Sequence, residues 1–179
     1  KQIKYQWIYL SSLSGKKWTN ILKQIMDLKL KHPLIKIAWN PGSNQLKEKK
    51  KLNKFLSITD VLLLNKEEAS ELIGTKLSVN NLSKRIVNLG PKIVVITQGK
   101  FGANVYNGQQ NLHQSISQHR LVDATGAGDA FGAGFVAGLI LFDDLKKALD
   151  LAIRNSGSVV SKIGAQQGLL NRKILKKYN

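Results

Sequence analysis

The stretch LVDATGAGDAFGAGFVAG, residues 121–138, holds two carboxylates, Asp123 and Asp129, on either side of a run of Ala, Thr and Gly. Small residues at a helix start let backbone N–H groups approach an anion closely, and the unpaired amides and helix dipole favour a phosphate there. A carboxylate in such a place would repel the phosphate unless a metal or a proton transfer is involved. Asp129 makes sense as a base: it can take the proton of a hydroxyl attacking a phosphoryl group while the amides hold the developing charge. Three plainer readings compete. Asp129 is also what a helix dipole favours in a first turn. GAGDAFG fits a loose dinucleotide pattern, but a helix rather than a strand follows the motif helix, so that context fails. Gly134 and Gly138 form G-x-x-x-G, which in so short an apolar run points to close helix-to-sheet packing rather than membrane dimerisation.

The elements that must carry these residues alternate. Buried-strand patterns occupy residues 6–12, 34–39, 60–65 and 92–97. Helical spacing runs through 16–31, 43–57, 66–74 and 79–90, the last two ending at Gly74 and Gly90. This alternation predicts βαβ crossovers and a mainly parallel sheet with helices on both faces. Residues 102–115 break the rhythm with an Asn107-Gly108 turn between strand-like runs, the pattern of a hairpin. A further long helix is expected over 145–164. Ligands of open α/β sheets sit where strands end and helices begin. That rule selects Asn65 and Glu68, the turn with Thr97, Gly99 and Gly102, DATGAGD, and residues 155–168.

Composition sets the bounds. The 179 residues, 42% hydrophobic, suffice for one domain, expected over 1–179. No cysteine is present, which rules out disulfides and thiolate metal sites and fits a reducing cytoplasm. The longest apolar run, residues 130–142, is short of a membrane span, and the N-terminus turns polar too soon for a secretory signal. The formal charge of +17 raises nucleic acid as a partner. Four arginines, Arg85, Arg120, Arg154 and Arg172, stand among many lysines, and LKEKKKLNKF has no interleaved aromatic pair for base stacking; a solvated lysine face is the preferred reading.

DATGAGDAFGAGFVAG resembles the signature of the ribokinase-like, or PfkB, sugar kinases, whose usual form is Asp-Thr-Thr-Gly-Ala-Gly-Asp. NKEE at residues 65–68 resembles the family's Asn-x-x-Glu, and TQGKFGA at 97–103 its Thr-x-Gly-x-x-Gly, in the same order. The resemblance implies a three-layer α-β-α fold, incomplete at the N-terminus, with the chain matching the C-terminal part of a member. It implies ATP-dependent phosphoryl transfer to a sugar or nucleoside-like substrate, with ATP and Mg²⁺ as cofactors. Asp129 becomes the catalytic base and Gly126, Ala127 and Gly128 the anion hole. Asn65 and Glu68 organise Mg²⁺ and the triphosphate, partly through water. Thr97, Gly99 and Gly102 line the phosphate and ribose side; Asn155 lies near the adenine, above Gly164 and Ala165. Members often hold a monovalent cation such as K⁺, here implicating Asp123, Thr125, Val159, Lys162 and Gly164.

Several positions depart from the pattern. Ala124 replaces a usual Thr, Gly168 stands where a serine often helps the cation site, and Asn40 replaces Asp in an Asp-Pro pair. NPGSNQL is closer in style to adenosine-kinase-like members. The N-terminal strands, the lid and most acceptor contacts of a member are not within these residues, so a separately encoded N-terminal half or a homo-oligomer enters as a partner. A silent nucleotide-binding module and a basic RNA-associated protein are the rival readings.

Overall fold

The computed structural model describes residues 6–13, 15, 17–116 and 121–171. The N-terminal five residues, Lys16 at the head of the first expected helix, Arg120 and Arg172 lie outside them. Six strands form one sheet in sequence order: β1 (Trp7–Leu10), β2 (Lys36–Trp39), β3 (Val61–Asn65), β4 (Ile93–Thr97), β5 (Ala103–Tyr106) and β6 (Asn111–Gln114). The first four are mutually parallel, with Trp39 opposite Leu62 and Leu62 opposite Val94. That row, with Ile37, Leu64 and Ile96, is one face of a core. The intervening Ala38, Val61, Leu63 and Val95 are buried as well, so both faces of the central strands are covered.

The described residues fall into two compact units, one within Lys1–Gly99 and Asn104–Leu112, the other within Lys100–Ala103 and His113–Asn179. In the first, α1 (Trp18–Lys31) buries Trp18 and Leu22, one turn apart, against that core. The helix expected over 43–57 is two helices, α2 (Ser43–Leu46) and α3 (Lys49–Leu56). Glu48 leaves the helical well at φ −97°, ψ 48°, and the first turn is held elsewhere: buried Gln45 accepts the N–H groups of Leu13 and Gly42 at 3.1 and 3.0 Å. Phe55 packs edge-on to Trp39, ring centroids 4.8 Å apart, a contact worth about 1 kcal/mol beyond area burial. Helix α4 (Lys66–Ile73) ends at Gly74 with φ 81°. Helix α5 (Val79–Val87) starts at Ser78, whose hydroxyl accepts the Asn81 N–H, and it stops before Gly90, at Asn88.

Asp60 ties the amino edge of the sheet. Its Oδ2 accepts the Ile37 N–H at 2.8 Å and Lys29 Nζ at 3.1 Å, and its Oδ1 accepts Lys92 Nζ at 2.7 Å. Burial would push its carboxyl up; the bonds from Lys92, Ile37 and Lys29 outweigh it and hold the group below the usual carboxylate range.

The hairpin is as expected. Asn107 Oδ1 accepts the N–H groups of Gln109 and Gln110 at 3.0 and 2.7 Å, an Asx-type turn with Gly108 at φ 91°.

In the second unit, α6 (Ala127–Phe142) lies along α7 (Leu145–Val160). A Cβ on Gly138 would come within 2.5 Å of the Ala148 Cα, and one on Gly134 within 3.0 Å of the Ala152 Cα. The expected close packing of these glycines is therefore against a helix, not the sheet. Helix α7 ends at Val160, earlier than the run to Gly164 expected from the sequence, because Ser161 already serves as its C-cap.

Candidate active site

Sheet register brings two of the three motifs together. Asn65, last residue of β3, and Thr97, last of β4, are Cα partners at the carboxyl ends of neighbouring parallel strands. Asn65 caps α4: its Oδ1 accepts the Glu68 N–H, and Glu68 Oε2 accepts the Asn65 N–H, both at 2.8 Å. The Asn-x-x-Glu spacing is thus a capping box whatever else it does. Burial, chiefly, pushes the Glu68 carboxyl up; the bond from Asn65 opposes this, and Glu67 and Glu71 add to it. The other carboxylate oxygen of Glu68 takes no hydrogen bond among the described residues. After Thr97 the chain makes a 3₁₀ turn, Gly99–Phe101, and Gly102 lies tight against the Gln114 carbonyl.

Around α6 the backbone explains the run of small residues. Gly126, the N-cap, has φ 77°, and a Cβ there would lie 2.6 Å from the Ala165 carbonyl oxygen. A side chain at 126 is excluded on both counts. The first i→i−4 bond is Ala130 N–H to the Gly126 carbonyl. Ala127 spends its N–H on the Ala124 carbonyl at 3.2 Å, so of the three expected anion-hole residues it contributes no open amide. Among the described residues, nothing accepts the N–H groups of Gly126, Gly128 and Asp129. The Asp129 carboxylate, in the first turn, is exposed and takes no hydrogen bond among the described residues.

Asp123 is committed locally. Its Oδ1 accepts the Thr125 N–H and its Oδ2 the Gly164 N–H, each at 2.9 Å; the Thr125 hydroxyl first, then these two N–H groups, hold its carboxyl below the usual range. Val159 gives its carbonyl to the exposed Lys162 N–H at 3.0 Å. At Gly168, φ is 86° and a Cβ would lie 2.4 Å from the Ser158 carbonyl oxygen, so a serine does not fit this backbone. Asn155, 6% exposed, points inward: Nδ2 donates to the Ala130 carbonyl at 2.7 Å and Oδ1 accepts the Leu170 N–H at 2.9 Å.

Two residues outside the three motifs also tie the strand exits. Asn40 Nδ2 donates to the Leu63 carbonyl at 2.9 Å, tying the β2 exit to β3. Gln45 stands three residues after Gly42, the capping-box offset, which is the one signal that could have marked it.

The model of the pfkB family of carbohydrate kinases matches residues 4–172. This chain belongs to that family. It is similar to the ATP-dependent 6-phosphofructokinase of Thermoanaerobacterium thermosaccharolyticum, 35% identical over 114 residues, which are 64% of this chain and 35% of that protein. Its fold is that of a ribokinase-II-type protein of Escherichia coli in complex with ATP and Mg²⁺ (TM-score 0.82, 22% identity, 97% of this chain and 58% of the other). The Burkholderia thailandensis nucleoside kinase in complex with inosine matches at TM-score 0.80 and 18% identity, over 99% of this chain and 56% of that one. The ribokinase-like α/β fold is shared, and the chain spans about a third to three-fifths of the length of these proteins.

Proposed function

We propose that the chain carries the nucleotide side and the base of an ATP-dependent kinase acting on a hydroxyl of a sugar or nucleoside-like substrate. One observation carries this reading: the exposed Asp129 carboxylate, which takes no hydrogen bond among the described residues, directly follows the amides of Gly126 and Gly128, which nothing among those residues accepts, at the start of α6. In the transfer, the acceptor oxygen attacks the γ-phosphorus, Asp129 Oδ takes the hydroxyl proton, the bond to the leaving oxygen breaks, and ADP departs. The amides of Gly126, Gly128 and Asp129 stabilise the charge that gathers on the phosphoryl oxygens.

The donors suit Mg²⁺. Among the described residues no cluster of three acidic, His or Cys ligands exists. Mg²⁺ takes one or two carboxylates together with waters and substrate phosphates, and Glu68 offers one unbonded oxygen beside Asn65. When bound, the metal neutralises phosphate charge; Asn65 and Glu68 hold it. The residues implicated for K⁺ are partly committed: each Asp123 oxygen and the Val159 carbonyl accept one N–H group, and Gly168 admits no hydroxyl. No part of the transfer is assigned to K⁺. Thr97, Gly99 and Gly102 line the phosphate and ribose side, and Gly164 and Ala165 the base side, with Asn155 bracing that wall from within. The acceptor is held by polypeptide outside these residues. The site of action is the cytoplasm, where ATP is abundant.

Calorimetry with Mg-ATP, followed by a coupled ADP assay over pentoses, hexoses and nucleosides, with and without the N-terminal part of a family member, tests the proposal. Saturable binding and acceptor-dependent ADP release support it. Binding with no acceptor-dependent turnover in either form would make the chain a silent nucleotide-binding module.

A further inference from the structure

The segment after α7 has few reasons of its own to stay in place. Ala165, Gln166 and Gln167 are exposed, and no helix or strand contains them. Such a stretch opens locally at little cost unless side chains anchor it. Here it has an anchor at each end. Asp123 Oδ2 accepts the Gly164 N–H at 2.9 Å, and the Asp123 backbone is itself fixed, because the N–H groups of Val122 and Asp123 both donate to the Val160 carbonyl. Asn155 Oδ1 accepts the Leu170 N–H at 2.9 Å, while its Nδ2 grips the Ala130 carbonyl in the first turns of α6. Between the anchors, Ala165 presses on Gly126: its O, Cα and Cβ lie 2.6, 2.8 and 2.8 Å from where a Gly126 Cβ would be.

We infer that Asp123 and Asn155 are positioning residues that hold residues 164–170 as a strap across the start of α6, so that Ala165 fixes Gly126 and with it the open amides of Gly126, Gly128 and Asp129. Asn155 touches both parts: one amide end sets α6, the other sets the strap. The functional meaning rests on the anion-site reading of α6; the coupling of the anchors stands on this chain alone. A buried asparagine with both ends bonded is costly to replace, since Ala130 and Leu170 lose their partners together.

Amide hydrogen exchange by NMR on the 179-residue chain, with Mg-ATP affinity by calorimetry, tests the strap. Asn155→Ala is expected to speed exchange at Leu170 and, through the strap, at Gly164 by about tenfold or more, with Ala152 inside α7 within twofold. Asp123→Ala, a half-buried change outside the apolar core, is expected to do the reverse, speeding Leu170 through Gly164. Asn155→Asp keeps an acceptor for Leu170 but loses the donor to Ala130, and is expected to loosen α6 while sparing the strap end. Mg-ATP affinity should fall at least fivefold in Asn155→Ala and in Asp123→Ala, with the urea midpoint lowered less by Asp123→Ala than by Asn155→Ala. Exchange at Gly164 that ignores Asn155, and at Leu170 that ignores Asp123, would show two independent contacts and overturn the strap. Mg-ATP binding that the unaltered chain shows and both variants keep within twofold would overturn the positioning role alone. No binding by the unaltered chain would overturn the nucleotide reading beneath it.

Discussion

At the scale of single residues, the two carboxylates of the motif differ in their bonding. Asp129, the proposed base, takes no hydrogen bond among the described residues, whereas Asp123, six residues earlier, has both oxygens bonded to backbone amides. In a form of the protein that turns over, Asp129→Asn should lower turnover roughly 10²–10⁴-fold with ATP affinity little changed; turnover within a few fold of the parent would remove Asp129 as the base. Glu68→Gln should instead raise the Mg²⁺ concentration needed for half-maximal turnover, and a Mg²⁺ titration separates the two roles. An unchanged Mg²⁺ dependence would leave Glu68 only its cap to Asn65. Asp60 belongs to stability. Its folded carboxyl sits below the ordinary range, so its contribution is complete above the unfolded value, near 3.9, and disappears as pH falls through the folded value. Urea midpoints measured from neutral to acid pH should fall more steeply for the parent than for Asp60→Asn. Parallel curves would contradict the linkage. The motif pointed to Asp123, Asp129, Asn65 and Glu68 from sequence alone, because spacing and residue type carry that information. The inward turn of Asn155 was not legible, since mid-helix position does not say which face is buried.

Elements are positioned by contacts that residue patterns only partly announce. Strand periodicity located β1 to β4 within about two residues, because buried parallel strands are continuous apolar runs bounded by turn residues. The break between α2 and α3 was hidden: helical spacing continues through it, and the interruption arises from Gln45 reaching back to Leu13 and Gly42, a tertiary demand. The partner of the Gly134 and Gly138 stripe was likewise invisible, since small residues announce closeness without saying to what. Against α7, Gly138→Ala would drive a methyl into the Ala148 backbone. It should destabilise the chain by about 1–3 kcal/mol in urea melts, with Gly134→Ala costing less. A Gly138→Ala midpoint equal to the parent's would mean that α6 and α7 are not packed this closely. At the turn between them Asp143 holds φ 48°, the one described non-glycine residue with positive φ. Asp143→Gly should therefore raise the unfolding free energy in urea melts, by up to about 1 kcal/mol.

For the molecule as a whole, the decisive tension is between a shaped site and a net charge. A chain at +17 attracts any polyanion, and that attraction fades with salt. Binding at α6 should depend instead on geometry: open amides at Gly126, Gly128 and Asp129, with Ala165 fixing Gly126. The described residues also leave Ile140 and Leu141 on α6 about half exposed, 56% and 55%, and β1 at the end of the strand order. Self-association that Leu141→Lys reduces is the expected behaviour in sedimentation velocity. Family membership follows from the match over residues 4–172, while the acceptor does not, because the chain spans only part of the proteins it resembles. The most direct test is an amide-resolved NMR titration of the 179-residue chain with Mg-ATP at low and at high salt. Saturable shifts centred on Gly126, Gly128 and Asp129, retained at high salt and lost in Gly126→Ala, are what a phosphate site at the start of α6 predicts. Shifts scattered over the lysines of α1 and α3 that vanish with salt would contradict it.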